Sequence, residues 1–363
     1  MARRFLGSQS LKGRGALSNP PVRFESTCVE KTDDGWQEEE EVATALPEIV
    51  LPDRAKSVIT TNTSPDVGFE QSINPYRGCS HGCVYCFARP THAYLGLSPG
   101  LDFETRLFYK DNAVQLLRAE LSKRNYQCKP IALGINTDGW QPLERRMMVS
   151  RSILAVLAEC RHPLTIVTKS TLILRDLDLL QDLARDHLVS VMVSITSLDA
   201  GIKRTLEPRA AAPQARLKVI EQLSAAGVHV GVLVAPVIPA LTDHEIEQIL
   251  EAAHNAGASS AGYVLLRLPH EVKDLFREWL AEHYPDRAKH VMSLINQSRG
   301  GKDYQAEFGT RMVGTGVFAQ LLRTRFDIAR RRFGFEDAER RYELRTDLFR
   351  PPAVNQAQMT LGF

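Results

Sequence analysis

No stretch of the chain approaches the roughly eighteen consecutive apolar residues that a membrane-crossing helix requires. Charge of one sign is lacking too. The 45 lysines and arginines are matched by 43 aspartates and glutamates, so a net charge of +2 leaves only local basic clusters to attract a polyanion. The segment Met1-Ala2-Arg3-Arg4-Phe5-Leu6-Gly7 is basic but has no apolar stretch of the kind a secretory signal carries, and a cytoplasmic protein is expected. Cysteine is scarce. Of six in 363 residues, Cys79, Cys83 and Cys86 fall within eight positions, while Cys28, Cys128 and Cys160 stand far apart. A disulfide framework would be spread more evenly, whereas a tight group in a reducing compartment points to metal.

Residues 1–65 read as a largely irregular extension, with Phe24, Trp36 and Val50-Leu51 as apolar anchors and an acidic run at 38–41 that reads as solvated. From there the pattern alternates. A strand near 71–74 is followed by strands at 130–136, 164–168, 188–195, 228–234 and 261–266. Amphipathic helices are expected over 143–160, 172–184, 213–226, 242–256 and 271–283. Continuous apolar strands separated by such helices imply a parallel sheet covered by helices. Six βα units are too few for an eight-stranded barrel, so the expected fold is α/β, a partial TIM-like barrel over 66–288. A helical appendage follows over 289–363. Chemistry in such folds sits at the C-terminal ends of the strands.

The cysteines lie just after the first of those strands, in Arg77-Gly78-Cys79-Ser80-His81-Gly82-Cys83-Val84-Tyr85-Cys86-Phe87-Ala88-Arg89-Pro90. Three thiolates on one short loop can hold three corners of a cubane cluster, and Gly78 and Gly82 let the backbone wrap it. One iron is then left open to a small molecule. Zinc on the three cysteines with His81 or His92 is the alternative, but zinc normally draws a second ligand pair some distance away, and none is present. Cys128 and Cys160 read as small core residues.

A C-x3-C-x2-C loop with an aromatic residue before its last cysteine, following the first strand of a partial barrel, resembles the radical S-adenosylmethionine superfamily over roughly residues 70–285. The resemblance implies a [4Fe–4S] cluster on Cys79, Cys83 and Cys86 whose open iron takes the amino and carboxylate groups of S-adenosyl-L-methionine (SAM). Reductive cleavage would then give methionine and a 5′-deoxyadenosyl radical that abstracts hydrogen from a substrate. A flavodoxin or ferredoxin is implied as the reducing partner. The substrate stays open, with nucleic acid among the candidates. A second reading, from a different class, keeps the cluster as a structural or redox-sensing element of a binding protein that does not cleave the cofactor.

The resemblance places Tyr85 against the adenine. Polar groups at the other strand ends are the remaining candidates for cofactor contacts. Thr137 and Asp138 follow the second strand, Lys169 ends the third and suits the methionyl carboxylate, and Ser194 and Thr196 are hydroxyls within the fourth. Arg209 offers a planar fork to a carboxylate, with Glu207 as its surface-pair alternative. Ala235-Pro236-Val237-Ile238-Pro239 reads as a rigid apolar wall near the adenosine.

Cys-Val-Tyr-Cys-Phe-Ala-Arg-Pro-Thr-His, the Asn-Thr-Asp and Thr-Lys-Ser strand ends and Ala-Pro-Val-Ile-Pro are similar to the spore photoproduct lyase-like branch, labelled DNA repair photolyases, and imply a lyase-like enzyme. Lys12-Gly13-Arg14-Gly15-Ala16 and Phe308-Gly309-Thr310-Arg311-Met312 fit a bacterial family within it. One departure stands out. That lyase uses a cysteine hydrogen donor near the end of the second strand, and the matching position here is Ile135, so direct thymine-dimer repair is not expected. No cysteine follows Cys160, so a single cluster is expected.

In the appendage, residues 299–303 read as a flexible basic loop. A helix over 312–333 follows, with Val317, Leu321, Phe326, Ile328 and Phe333 as its apolar face and Arg323, Arg325 and Arg330–Arg332 on its basic side. The favoured role is to cap the open barrel, its arginines solvated or paired with Asp327, Glu336 and Asp337, since no aromatic platform for single-stranded nucleic acid accompanies them.

Overall fold

β-branched and aliphatic residues dominate the strand segments, and the sheet they build sets the strand ends on one side. The computed structural model describes residues 12–24, 46–335 and 342–353; Cys28, Trp36, the acidic run at 38–41, Glu336 and Asp337 lie outside them. In chain order the strands are β1 (Ile49–Pro52), β2 (Ile59–Thr61), β3 (Gln71–Ile73), β4 (Tyr76–Arg77) and β5 (Arg106–Tyr109). They continue as β6 (Ile131–Leu133), β7 (Leu164–Thr168), β8 (Val189–Ser194), β9 (His229–Val237) and β10 (Ser260–Leu265). The main sheet has the order β10-β9-β8-β7-β6-β3-β2. β3 and β6 to β10 are parallel, and β2 is an antiparallel edge on β3. Leu133, Ile166, Val191 and Val230 line up across four adjacent strands and are buried, a layered core of the kind that fills a barrel.

The α/β partial barrel expected from the pattern is therefore present, with helices following its strands. Gly227 and Gly257 end two of them at φ +76° and +95°, the left-handed residue a helix C-terminus favours. The helix expected over 143–160 is two, Glu144–Met147 and Val149–Glu159, broken at Met148 (φ 58°). The break has a cause. The Glu144 carboxylate accepts from the backbone N–H groups of Ser150 and Arg151, capping the second helix from within the first.

At the ends of the chain the structure departs from expectation in detail. The described part of residues 1–65 is largely irregular as expected, but two short strands interrupt it: β2 joins the main sheet and β1 pairs with β5 in a small second sheet with β4. Phe24 is exposed against Tyr94 and does not anchor the segment; Ala16, Leu17 and Val58 are among its buried residues. The loop at 299–303 is tethered rather than flexible at its start. Arg299 is buried, donating to the carbonyls of Leu265, Leu266, Thr310 and Arg311. The helix Pro285–Gln297 also runs across residue 288, where the sequence pattern ends the barrel.

The segment after Arg299 forms a strap across the open side of the barrel. The backbone N–H of Leu265 in β10 donates to the Met312 carbonyl, 2.8 Å. At the far edge Gly309 N donates to Asp66 Oδ1, and Arg311 pairs with Asp66 and donates to Ser64, both beyond β2. The helix Gly316–Arg332 then packs back on the barrel through Ala319, Leu322, Phe326 and Ala329. Val317, Leu321 and Ile328, expected on its apolar face, are exposed. Arg325 pairs with Glu247 and Asp243, on and just before the helix Ile246–Asn255, rather than with Asp327. Phe326→Ala should cost about 3–5 kcal/mol in urea unfolding, whereas Leu321→Ala should change stability by no more than about 0.5 kcal/mol.

Candidate active site

The cysteine loop is set by a fully buried arginine behind it. Arg89 donates from Nε to the Cys83 carbonyl (2.9 Å), from Nη2 to the Gly82 carbonyl (3.2 Å), and from Nη1 to the carbonyls of Pro99 and Gly100. Its charge is met by Glu104 (2.5 Å), also fully buried. The remaining acceptor capacity of Glu104 is filled by the backbone N–H groups of Gly15 (3.1 Å) and Ala16 (2.8 Å). A Cβ on Gly15 would fall 1.9 Å from the Gly82 carbonyl oxygen, so only glycine lets this segment approach the loop. On the other side Gln141 accepts from Ser80 N (2.9 Å) and donates to the Gly78 carbonyl (3.2 Å).

Cys79 and Cys83 are buried and Cys86 is half-buried. Burial raises all three thiols, Cys83 to about 12, so their thiolate forms need a positive partner. An iron–sulfur cluster would supply that charge, and three soft donors on one loop suit one with an open corner. Zinc fits less well. Among the described residues no set of His, Cys, Asp and Glu converges to hold a single ion. His81 lies 3.5 Å from Asp138, and His92 bonds the Arg106 carbonyl at 2.9 Å behind the loop.

The thiols border a cavity of about 590 Å³ at the C-terminal ends of the parallel strands. Tyr85, Thr137, Asp138, Lys169 and Ser194 line it as well, as does Ile135. Strand β6 stops at Gly134 (φ +76°), where a Cβ would meet Gly139 N at 2.8 Å, and this turn brings Ile135 to Asp138 to the cavity. Asp138 is occupied by the chain itself. It accepts from Thr168 Oγ1 (2.9 Å), Lys169 N (2.7 Å) and Trp140 N (2.8 Å), so it holds the ends of β6 and β7 together. Thr137 donates to the Tyr76 carbonyl and Ser194 to the Ala235 carbonyl, leaving lone pairs on both hydroxyls. The Lys169 ammonium stands 5.9 Å from the centre of the Tyr85 ring.

Arg209 is not part of this group. Its guanidinium pairs with Glu48, away from the cavity, so neither the cofactor carboxylate nor Glu207 is its partner. Glu207 is buried and pairs with Arg216, a residue that sequence reasoning missed. Its signal is positional, because Arg216 shares the buried face of its helix with Val219, Ile220 and Leu223. Tyr85 Oη donates to Glu207, and Thr196 does so at 2.7 Å, so the tyrosine expected at the adenine is clamped by its hydroxyl. Burial opposes the charge on Glu207, but Arg216, Lys169 and the hydrogen bonds from Tyr85 and Arg216 outweigh it and bring its pKa down to about 2.

Two outcomes follow for the metal-free protein. Arg89→Met should cost about 3–5 kcal/mol in urea unfolding, and less in a Glu104→Gln background where no charge is left unpaired. Burial lowers His81, His92 and His162 from 6.5 to about 4, so the unfolded chain binds more protons below pH 6.5 and stability should fall down to about pH 4. Glu207 extends the fall from 4.5 to about 2, because its depressed pKa makes its contribution complete only above 4.5. Urea titrations across pH should flatten in the upper window for His162→Phe and in the lower one for Glu207→Gln.

Comparison with known proteins agrees with this geometry. The model of the Radical SAM superfamily matches residues 73–253. An uncharacterised protein of Mycobacterium tuberculosis is 42% identical over 231 residues, 63% of this chain and 68% of that protein. One of Methanocaldococcus jannaschii is 25% identical over 238 residues, 65% of this chain and 84% of its own length. Among solved structures, a spore photoproduct lyase mutant with bound AdoMet and dinucleoside spore photoproduct superposes with a TM-score of 0.56, covering 79% of this chain and 80% of that one. At 16% identity that likeness concerns the fold. With its three-cysteine loop at the mouth of a six-stranded parallel barrel, the chain is an enzyme of the radical SAM superfamily.

Proposed function

We propose that Cys79, Cys83 and Cys86 hold a [4Fe–4S] cluster and that the cavity beside them binds SAM for reductive cleavage. The observation that carries this reading is the set of three thiols, two buried and one half-buried, on one braced loop that borders the strand-end cavity. When bound, the cluster and SAM together supply an electron and a 5′-deoxyadenosyl radical able to take hydrogen from a substrate.

The chain's own residues bind, orient and exclude water. Lys169 is the cation for the methionyl carboxylate, and Tyr85, clamped through its hydroxyl by Glu207, offers its ring and backbone to the adenine. The hydroxyl lone pairs of Thr137 and Ser194 face the ribose or amino group, and Asp138 keeps the two strand ends in register beneath them. The strap from β10 to Asp66 keeps bulk water from the cavity. Electrons come from a flavodoxin or ferredoxin. Ile135 at the cavity wall offers no hydrogen-donating thiol, which supports a reaction other than dimer repair.

Anaerobic reconstitution should give about four irons per chain. Dithionite should then convert added SAM to 5′-deoxyadenosine, measured by chromatography, and Cys83→Ala should lose both cluster and product. An intact cluster that yields no 5′-deoxyadenosine, with an EPR signal unmoved by SAM, would sink the catalytic reading in favour of a redox sensor.

A further inference from the structure

We infer that Arg267 binds an oxyanion of the substrate, a phosphate or a carboxylate, at the same cavity. The inference rests on the reading above and names the charged group that the cavity takes besides SAM. Arg267 follows β10 and lines the cavity with Cys86, Phe87 and Met312. Its guanidinium lies over the Phe87 ring, 5.2 Å from the centroid, one residue from a proposed cluster ligand.

Stacking satisfies the face of a guanidinium, not the N–H donors in its plane. Those donors are poorly used here. One Nη reaches Tyr304 Oη at 3.4 Å, the other the Met312 sulfur at 3.6 Å, and the buried Nε has no partner. No carboxylate among the described residues pairs with it. Its neighbours share the unbonded Nε but are otherwise provided for: the two Nη atoms of Arg299 donate to four carbonyls, and Arg311, on the same cavity, has Asp66 as its counter-charge. A buried donor without an acceptor is costly, and a guanidinium fork held over a ring is matched by a two-oxygen anion that fills Nε and Nη together. A neutral carbonyl would fill one donor and leave the charge unmet.

The test uses cluster-loaded, oxidised protein saturated with SAM, so that no cleavage occurs and the methionyl carboxylate is already accommodated. Inorganic phosphate is followed by ³¹P line broadening and acetate by broadening of its methyl proton signal. Wild-type protein should broaden at least one, phosphate alone marking a phosphate ester as the substrate and acetate alone a carboxylic acid. Arg267→Gln should weaken binding by about tenfold or more, the loss of one bidentate charge-assisted pair. Should the glutamine variant fail to load its cluster, Arg267→Lys carries the comparison, because it keeps the charge but loses the fork and should bind several-fold more weakly. Broadening of neither probe, or equal broadening in wild type and variant, overturns the inference. If the EPR signal of the dithionite-reduced cluster moves with SAM while the anions are ignored, this assignment alone fails. If that signal does not respond to SAM, the reading beneath it fails.

Discussion

The geometry of the site depends on one buried ion pair, Arg89 with Glu104. A loop carrying three cysteines is only partly fixed by its own turns, in which Gly82, Cys86 and Arg89 donate to the carbonyls of Cys79, Cys83 and Cys86. Arg89 takes up two of the loop's carbonyls directly, and two more from the Pro99-Gly100 turn. A bare guanidinium in that position would be prohibitively costly, so Glu104 must stand beside it. Glu104 in turn needs more donors than Arg89 offers, and the amides of Gly15 and Ala16 provide them. An apparently peripheral N-terminal segment thus becomes part of the support for the sulfur atoms.

The same logic recurs on the opposite wall. Glu207 and Arg216 form a second buried pair whose work is to hold Tyr85 and Thr196, and Asp138 ties Thr168 and Lys169 to the end of β6. Charged groups buried behind the cavity satisfy one another and set positions. Among apolar side chains such as Phe87, Leu233 and Val264, the lining keeps hydroxyls, thiols and a few cations, which leaves it receptive to a charged ligand.

The parallel sheet and the cysteine loop were legible because both are written in local periodicity and short spacing. Cys79, Cys83, Cys86, Tyr85, Thr137, Asp138, Lys169 and Ser194 all come to one cavity, each lying on that loop or at a strand's C-terminal end. What stayed hidden was long-range polar pairing. Nothing near Arg209 in the sequence points to Glu48, and nothing near Glu104 points to Gly15, because neither partner belongs to a repeating pattern. The C-terminal helix was misread for a related reason. Its large residues suggested one face, but the smaller Ala319 and Ala329 let the helix approach the barrel, and Val317, Leu321 and Ile328 turned outward.

The strap carries a consequence for the order of assembly. Gly309 and Asp66, which it joins, are 243 residues apart. During synthesis the barrel strands and the cysteine loop leave the ribosome well before residues 309–312 do, and N-terminal units fold first. The seam between β10 and β2 therefore closes last. Until then the pocket beneath the thiols stays open along the side that the finished wall narrows.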